Sequence, residues 1–318
     1  MKVLITGANG FVGRALREYL ICAGHQIVPV VRKPCSIPGE RVIADVANHP
    51  GWAEVLSGCQ VVVHLAARVH VMNDTAGDVA ALYHASNVVF TRTVAEVAAL
   101  QGVKRFIFVS SIKVNGEGRE IPYRAEDVPA PEDDYSRSKW AAEKALGAIA
   151  QQTGMEVVIL RPPLVYGPGV RANFLRMMEV LAQGWVLPLG AVHNRRSLLY
   201  IGNLCDAVSV AMTHPAAAGH TYLPTDCEDV STTELLYRLA RALEVSPRLI
   251  PIPSRILRWA GKLLGKGRQA ERLLGSLAAD SSSMRRDLGW SPPFSMDEGL
   301  LKTVQWYRDH RIENETNR

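Results

Sequence analysis

Short apolar runs, broken by polar turns, recur through the first 165 positions and alternate with stretches of helical period. Residues 3–6, 26–31, 42–44, 61–65, 105–109 and 157–160 read as strands. Between them, apolar positions return at helical spacing over about 11–23, 76–100 and 135–152. Strands that alternate with helices build a parallel sheet covered on both faces, because a parallel crossover needs a helix-length connection. Such crossovers are right-handed. The pattern therefore predicts an α/β fold, a Rossmann-type doubly wound sheet over residues 1–165. After Arg161-Pro162-Pro163 proline and glycine become denser. Helical stretches then alternate with short strand-like pieces at 197–201, 221–223 and 249–252. This predicts a smaller mixed C-terminal domain over 166–318, mainly for substrate, with some segments returning to the first domain.

Composition narrows the class. The 318 residues are 47% hydrophobic and 21% charged, ordinary for a globular protein. No apolar run approaches the ~18–20 residues that span a bilayer. Met1-Lys2-Val3-Leu4-Ile5 runs straight into a glycine turn, so it reads as a first strand and not a signal peptide. Cys22, Cys35, Cys59, Cys205 and Cys227 are scattered, without a Cys-x-x-Cys. They read as reduced thiols of a cytoplasmic protein, with no metal site and no disulfide framework. The net charge of +5 comes without an aromatic-rich reading motif, which argues against nucleic acid and for an anionic small substrate. One stretch, 255–272, is locally basic and amphipathic. A packed helix with a solvated basic face explains it, and a weak membrane-surface contact stays open.

The chemistry is concentrated at strand ends. Gly7-Ala8-Asn9-Gly10-Phe11-Val12-Gly13 follows the first strand and opens the first helix. Glycines there permit a tight turn and close approach of backbone to a pyrophosphate, and the helix N-terminus supplies N–H donors. Gly7, Asn9, Gly10, Phe11, Val12 and Gly13 are thus cofactor candidates. The second strand ends in Arg32-Lys33. Basic residues there suit a 2′-phosphate, so NADP(H) is favoured and NAD(H) stays open. Asp45-Val46 closes the third strand, where an Asp can accept from the adenine amino group. Leu65, Ala66 and Ala67 follow the fourth strand, where small residues let a cofactor lie against the sheet edge. Asn87, on the long helix, can bond backbone near the site. Ser110-Ser111 ends the fifth strand, where ligands gather in open sheets. Tyr135 and Lys139 are one helical turn apart and share a face. A nearby ammonium favours a phenolate and is expected to pull the tyrosine towards neutrality.

Taken in order, these residues resemble the extended short-chain dehydrogenase/reductase superfamily. The G-x-x-G-x-x-G turn, Asp45, the His64-Leu65-Ala66-Ala67 segment, Asn87, the serine strand and Tyr135/Lys139 carry the resemblance, as does the later RPPLVYGPG segment. The stretches VSSIKVNGE, RPPLVYGPGVRANF and LGWSPP are most similar to bacterial nucleotide-sugar 4-epimerases and 4-ketoreductases of surface-polysaccharide synthesis. The resemblance implies that Ser111 orients the substrate oxygen, that Tyr135 exchanges its proton, and that Lys139 binds the nicotinamide ribose. It adds Pro162 to the cofactor contacts. It places Lys113, Asn173 and Arg196 with Ser111 on the side of a UDP-sugar, with Arg195 competing for the role of Arg196. It implies a homodimer packed through the helices at 76–100 and 135–152, with Ala80, Ala81, Leu82, Ala98, Ala99 and Leu100 as small or apolar surface.

Two departures bear on the reaction. Ser111-Ile112-Lys113 lacks the acidic pair that sugar-nucleotide 4,6-dehydratases place there, which argues against dehydration. Pro162-Pro163-Leu164 stands where galactose epimerases commonly carry Tyr-Phe-Asn. With Arg32-Lys33, this favours a 4-ketoreductase acting on a UDP-4-keto-6-deoxy-N-acetylhexosamine. A 4-epimerase with tightly bound NAD is the alternative. A dinucleotide-binding protein without chemistry is a third reading, opposed by the intact Ser111, Tyr135 and Lys139.

Overall fold

A computed structural model describes residues 1–44, 51–69 and 78–316 of the chain. Its strands are β1 (Lys2–Thr6), β2 (Gln26–Val31), β3 (Arg41–Val42), β4 (Val61–His64), β5 (Arg105–Val109), β6 (Glu156–Leu160), β7 (Leu164–Tyr166), β8 (Val186–Leu187), β9 (Arg196–Tyr200), β10 (Thr221–Tyr222), β11 (Asp229–Val230) and β12 (Arg248–Leu249). Seven of them form one parallel sheet in the order β10-β6-β5-β4-β1-β2-β3. This is the doubly wound Rossmann-type sheet that the pattern predicts. The order reverses beside β1, so β1 and β4 frame the crevice at the carboxyl ends of the strands.

Alternate residues of each strand feed opposite layers, since side chains reverse every residue. Val3, Ile5, Val61, Val63, Ile107 and Val158 enter one core with α1 (Phe11–Cys22). Leu4, Val62, Phe106, Phe108 and Val157 enter the other, against α2 (Trp52–Leu56) and the helices that follow it. Both faces are covered, which is why these strands read as unbroken apolar runs.

The stretch predicted as one helix over 76–100 is continuous helix from Val79 to Leu100, made of α3 (Val79–Tyr83), a π-helical turn (His84–Val89) and α4 (Phe90–Leu100). Ala98 on α4 is fully buried in the core, so it offers no surface to a second chain. The catalytic helix candidate is α5 (Asp134–Thr153), capped at its N-terminus by Asp133 and Ser136 in a reciprocal box.

Beyond β6 the chain builds a three-stranded sheet, β11-β9-β7, and a two-stranded ribbon, β12-β8. Around them lie α6 (Ala172–Ala182), α7 (Ile201–Thr213) and α8 (Thr232–Ala242). β10 returns to the large sheet beside β6. The basic stretch forms two helices, α9 (Ser254–Leu263) and α10 (Gly267–Leu274), divided at Gly265 with φ +67°. It is not the packed helix expected from sequence: no residue of α9 is buried. The chain ends with α11 (Ser282–Leu288) and α12 (Met296–Thr316). Among the described residues, no helix is long and apolar enough to cross a membrane.

Candidate active site

The glycine turn leaves β1 at Thr6. Gly7 sits at φ +69°, and a Cβ there would meet the backbone nitrogen of Ala66 at 2.9 Å. At Gly13 a Cβ would lie 2.2 Å from the Gly7 carbonyl oxygen. Gly10 is the N-cap of α1 and supplies no side-chain cap, so the first-turn N–H groups are left for an anion. The cradle fits the pyrophosphate of a dinucleotide. Asn9 and Val12 belong to the same turn and helix start, while the Phe11 ring packs outward against the C-terminal layer. Arg32 and Lys33 are exposed just past β2 and have no acidic partner among the described residues. Asp45 and Val46 lie outside the described residues.

A buried polar chain ties the cofactor edge together. The Ala66 N–H donates to Thr6 Oγ1 at 3.2 Å, and Thr6 Oγ1 meets His64 Nδ1 at 3.0 Å. His64 Nε2 meets Thr91 Oγ1 at 3.1 Å, and that hydroxyl donates to the Asn87 carbonyl at 2.6 Å. Since Thr91 spends its proton on Asn87, it accepts from His64, which fixes the Nε2–H tautomer. Burial, helped by the charge of Lys139, holds His64 down to about 3, so it is neutral. Asn87 then clamps the segment after Leu65, Ala66 and Ala67. Its side chain accepts from the Arg68 N–H at 2.7 Å and donates to the Arg68 carbonyl and to Ser138 Oγ. Ser138 donates to the Tyr135 carbonyl at 2.7 Å.

At the end of β5, Ser111 lies beside the Tyr135 phenol, close enough to favour its ionised form. Burial and the Asp133 charge push that phenol up to about 12, against the lowering effect of Ser111. The expectation that Lys139 draws it towards neutrality is corrected here. The Lys139 ammonium spends one N–H on the Val109 carbonyl at 2.7 Å and lies 4.0 Å from the centre of the Phe108 ring. Its own burial pulls it down to about 7, with Glu143 opposing. Glu143 is in turn gripped by Arg161 through two bonds, at 3.1 and 2.5 Å, and accepts from Ser110 at 2.5 Å. Ser110 therefore faces this buried pair and Ser111 faces the phenol, as neighbours on an extended chain should. The Pro162 carbonyl accepts from the Ile112 N–H at 3.0 Å and so holds the strand end in place. Ser111 and Tyr135 together can bind a hydroxyl or ketone oxygen and pass a proton to or from it.

A charged cluster borders this pair. Lys113 bonds Glu117 at 2.6 Å and Asp133 at 3.0 Å. Burial alone would raise Asp133, but the Ser136 N–H and hydroxyl and the Lys113 ammonium hold it down to about 2. Arg196 opens β9 and donates to the carbonyls of Arg272 and Gly275. Arg272 reaches Asp133 at 3.2 Å and Glu117 at 4.0 Å. Arg195, one residue earlier, pairs with Asp229 at 2.7 Å on the opposite side. Of the two arginines, Arg196 shares the cluster with Lys113. Asn173 is exposed at the start of α6 and makes no hydrogen bond to that cluster.

Residues 3–223 match the sequence profile of the NAD dependent epimerase/dehydratase family. The chain belongs to this family. It is 42% identical to a UDP-glucose 4-epimerase of Vibrio cholerae over 312 residues, covering 96% of this chain and 94% of that one. It is 28% identical over 323 residues to an N-acetyl-alpha-D-glucosaminyl-diphospho-ditrans,octacis-undecaprenol 4-epimerase of Escherichia coli O157:H7, covering 96% and 95%. Among solved structures, MoeE5 in complex with UDP-glucuronic acid and NAD superposes with a TM-score of 0.79 at 25% identity, covering 98% of this chain and all of that one.

Within this family fold, the sequence reading missed Glu143, Arg161 and Arg272. Glu143 lies four residues past Lys139 and eight past Tyr135, so the helical spacing that paired those two could have found it. Arg272 was visible only as part of a basic stretch; its place beside Asp133 depends on a contact 139 residues away.

Proposed function

We propose that this protein is a nucleotide-sugar 4-epimerase, acting on a UDP-hexose or UDP-N-acetylhexosamine with NAD retained through the cycle. The observation that carries it is Ser111 set beside the Tyr135 phenol in a chain that aligns over nearly its whole length with a 4-epimerase. Bound NAD would supply hydride acceptance at C4 and hydride return. Around it, the Gly7–Gly13 turn binds the pyrophosphate and Lys139 the ribose. Ser111 holds the C4 oxygen. Tyr135 takes the hydroxyl proton as C4 is oxidised and gives it back once the ketone has turned its other face. A phenol pushed up to about 12 holds its proton tightly, and it becomes a base only when a positive charge is brought near it. The diphosphate falls to Arg196, Lys113 and Arg272, since arginine grips phosphate through paired N–H groups. The named substrates of the two epimerase relatives share a sugar joined through a diphosphate.

The acid-free Ser111-Ile112-Lys113 stretch argues against dehydration. Glu117 and Asp133 stand nearby, but both are held in ion pairs with Lys113. A second reading, an NADP(H)-dependent 4-ketoreductase, rests on exposed Arg32 and Lys33 and on Pro162-Pro163-Leu164. Denaturing the purified protein and identifying the released nucleotide separates the two. Stoichiometric NAD is the expected result; an empty site that takes up NADPH would overturn the epimerase reading in favour of the reductase.

A further inference from the structure

The α9–α10 hairpin concentrates what the rest of the surface lacks. The chain has 36 basic and 31 acidic residues, of which 255–272 contains six basic and one acidic. Thirty of each remain, so the whole net charge of the protein sits on this hairpin. Apart from Leu274 at the end of α10, its apolar side chains are not buried in the core. Ile256, Trp259, Leu263 and Leu264 are 54%, 64%, 67% and 73% exposed. Ile256, Trp259 and Leu263 follow the three- and seven-residue spacing of one helix face, and Arg255, Arg258 and Lys262 follow the same spacing one position earlier. The cations therefore flank the apolar stripe. Arg258 pairs with Glu271, while Arg255, Lys262 and Lys266 have no acidic partner among the described residues. The two helices are fixed to each other by close approach: a Cβ at Gly261 would meet the Ala270 Cβ at 2.6 Å. The stripe is thus held by a folded unit and is not a frayed end.

We propose that this hairpin docks the protein on a bilayer surface rich in anionic phospholipid. An exposed tryptophan and leucines beside unpaired cations combine the two signals that surface binding needs, apolar insertion and attraction to negative headgroups. A packed protein partner would need acids opposite the cations; an anionic leaflet supplies them at any rotation. The far end of α10 is fastened to the candidate diphosphate cluster through Arg272 and Leu273, whose carbonyls accept from Arg196 and Asn194. Eight residues of helix span about 12 Å. Docking would therefore hold the sugar site close to the membrane.

The test is co-sedimentation of the full chain with vesicles of phosphatidylcholine alone and of phosphatidylcholine mixed with phosphatidylglycerol, at low and high salt. Binding is expected on the mixed vesicles, weakened by salt. The Trp259→Glu, Leu263→Glu pair should abolish it. The triple change Arg255→Gln, Lys262→Gln, Lys266→Gln should reduce it on the order of a hundredfold, at roughly 1 kcal/mol per charge. All five positions are exposed, so unfolding midpoints should stay at the wild-type value and report that the variants are folded. Absence of binding by the wild type at low salt, or binding that the charge variant leaves unchanged, would overturn the proposal. So would an oligomer that the Trp259→Glu, Leu263→Glu pair splits while vesicles capture nothing, which would give the face to a second copy.

Discussion

Tyr135 is a strong proton holder, and its function turns on what lowers that grip. Burial pushes it up to about 12 and Ser111 is the neighbour that counters. Tyr135→Phe should keep the fold and the nucleotide site and lower turnover by roughly 10²–10⁴-fold, the usual worth of a positioned acid–base group. Turnover within twofold of wild type would remove Tyr135 from the chemistry. Lys139 makes a separate, pH-dependent prediction. Burial pulls it from 10.5 to about 7. Between those values the unfolded chain holds a proton that the folded chain has released, so stability should rise with pH across that window. Lys139→Met should flatten the rise, as read from denaturant midpoints at several pH values; an unchanged slope would place the amine in water. Tyr135, Lys139 and Ser111 were legible in the sequence because spacing and strand ends fix their faces. Glu143 shares that helical spacing, but its pairing with Arg161 was not legible, because it brings together two elements that sequence spacing does not relate. That pair is almost fully buried, with bonds of 3.1 and 2.5 Å. Glu143→Ala should cost about 3–5 kcal/mol in denaturant unfolding, the price of stranding a buried charge.

At the scale of elements, the strands of the large sheet were readable because both of their faces are buried. Val61–Val63 of β4 and Phe106–Val109 of β5 are continuous apolar runs whose alternate residues enter different cores. The helix over 76–100 was readable as helical, but the π turn within it was not. That turn carries Asn87, which reaches Arg68 and Ser138, contacts made across the fold. The glycine turn was the clearest local signal, since Gly7 and Gly13 are demanded by backbone approach. Gly13→Ala places a methyl 2.2 Å from the Gly7 carbonyl. It should displace the turn and weaken dinucleotide binding at least tenfold by calorimetry; wild-type affinity would show that the turn does not hold the cofactor.

The whole molecule joins a parallel sheet to a smaller mixed layer, with the candidate pair Ser111 and Tyr135 at the carboxyl edge of the sheet. Sequence texture marked the change near residue 165 and a return of some later segments to the first domain, but not which one; that β10 does so depends on a short strand finding β6. Exposed small residues on neighbouring helices, Ala80 and Ala81 on α3 and Gly147 and Ala148 on α5, offer a surface for a second copy. A dimeric mass is expected by light scattering at micromolar concentration, and a monomeric mass would count against that packing. The central claim is self-sufficient inversion at C4. Its most direct measurement is NMR of the purified protein, without added cofactor, incubated with UDP-glucose or UDP-N-acetylglucosamine. The account predicts that the C4 epimer of at least one sugar builds up to an equilibrium mixture. No epimer from either, together with stoichiometric NADPH consumption on a UDP-4-keto-6-deoxy-N-acetylhexosamine, would contradict it.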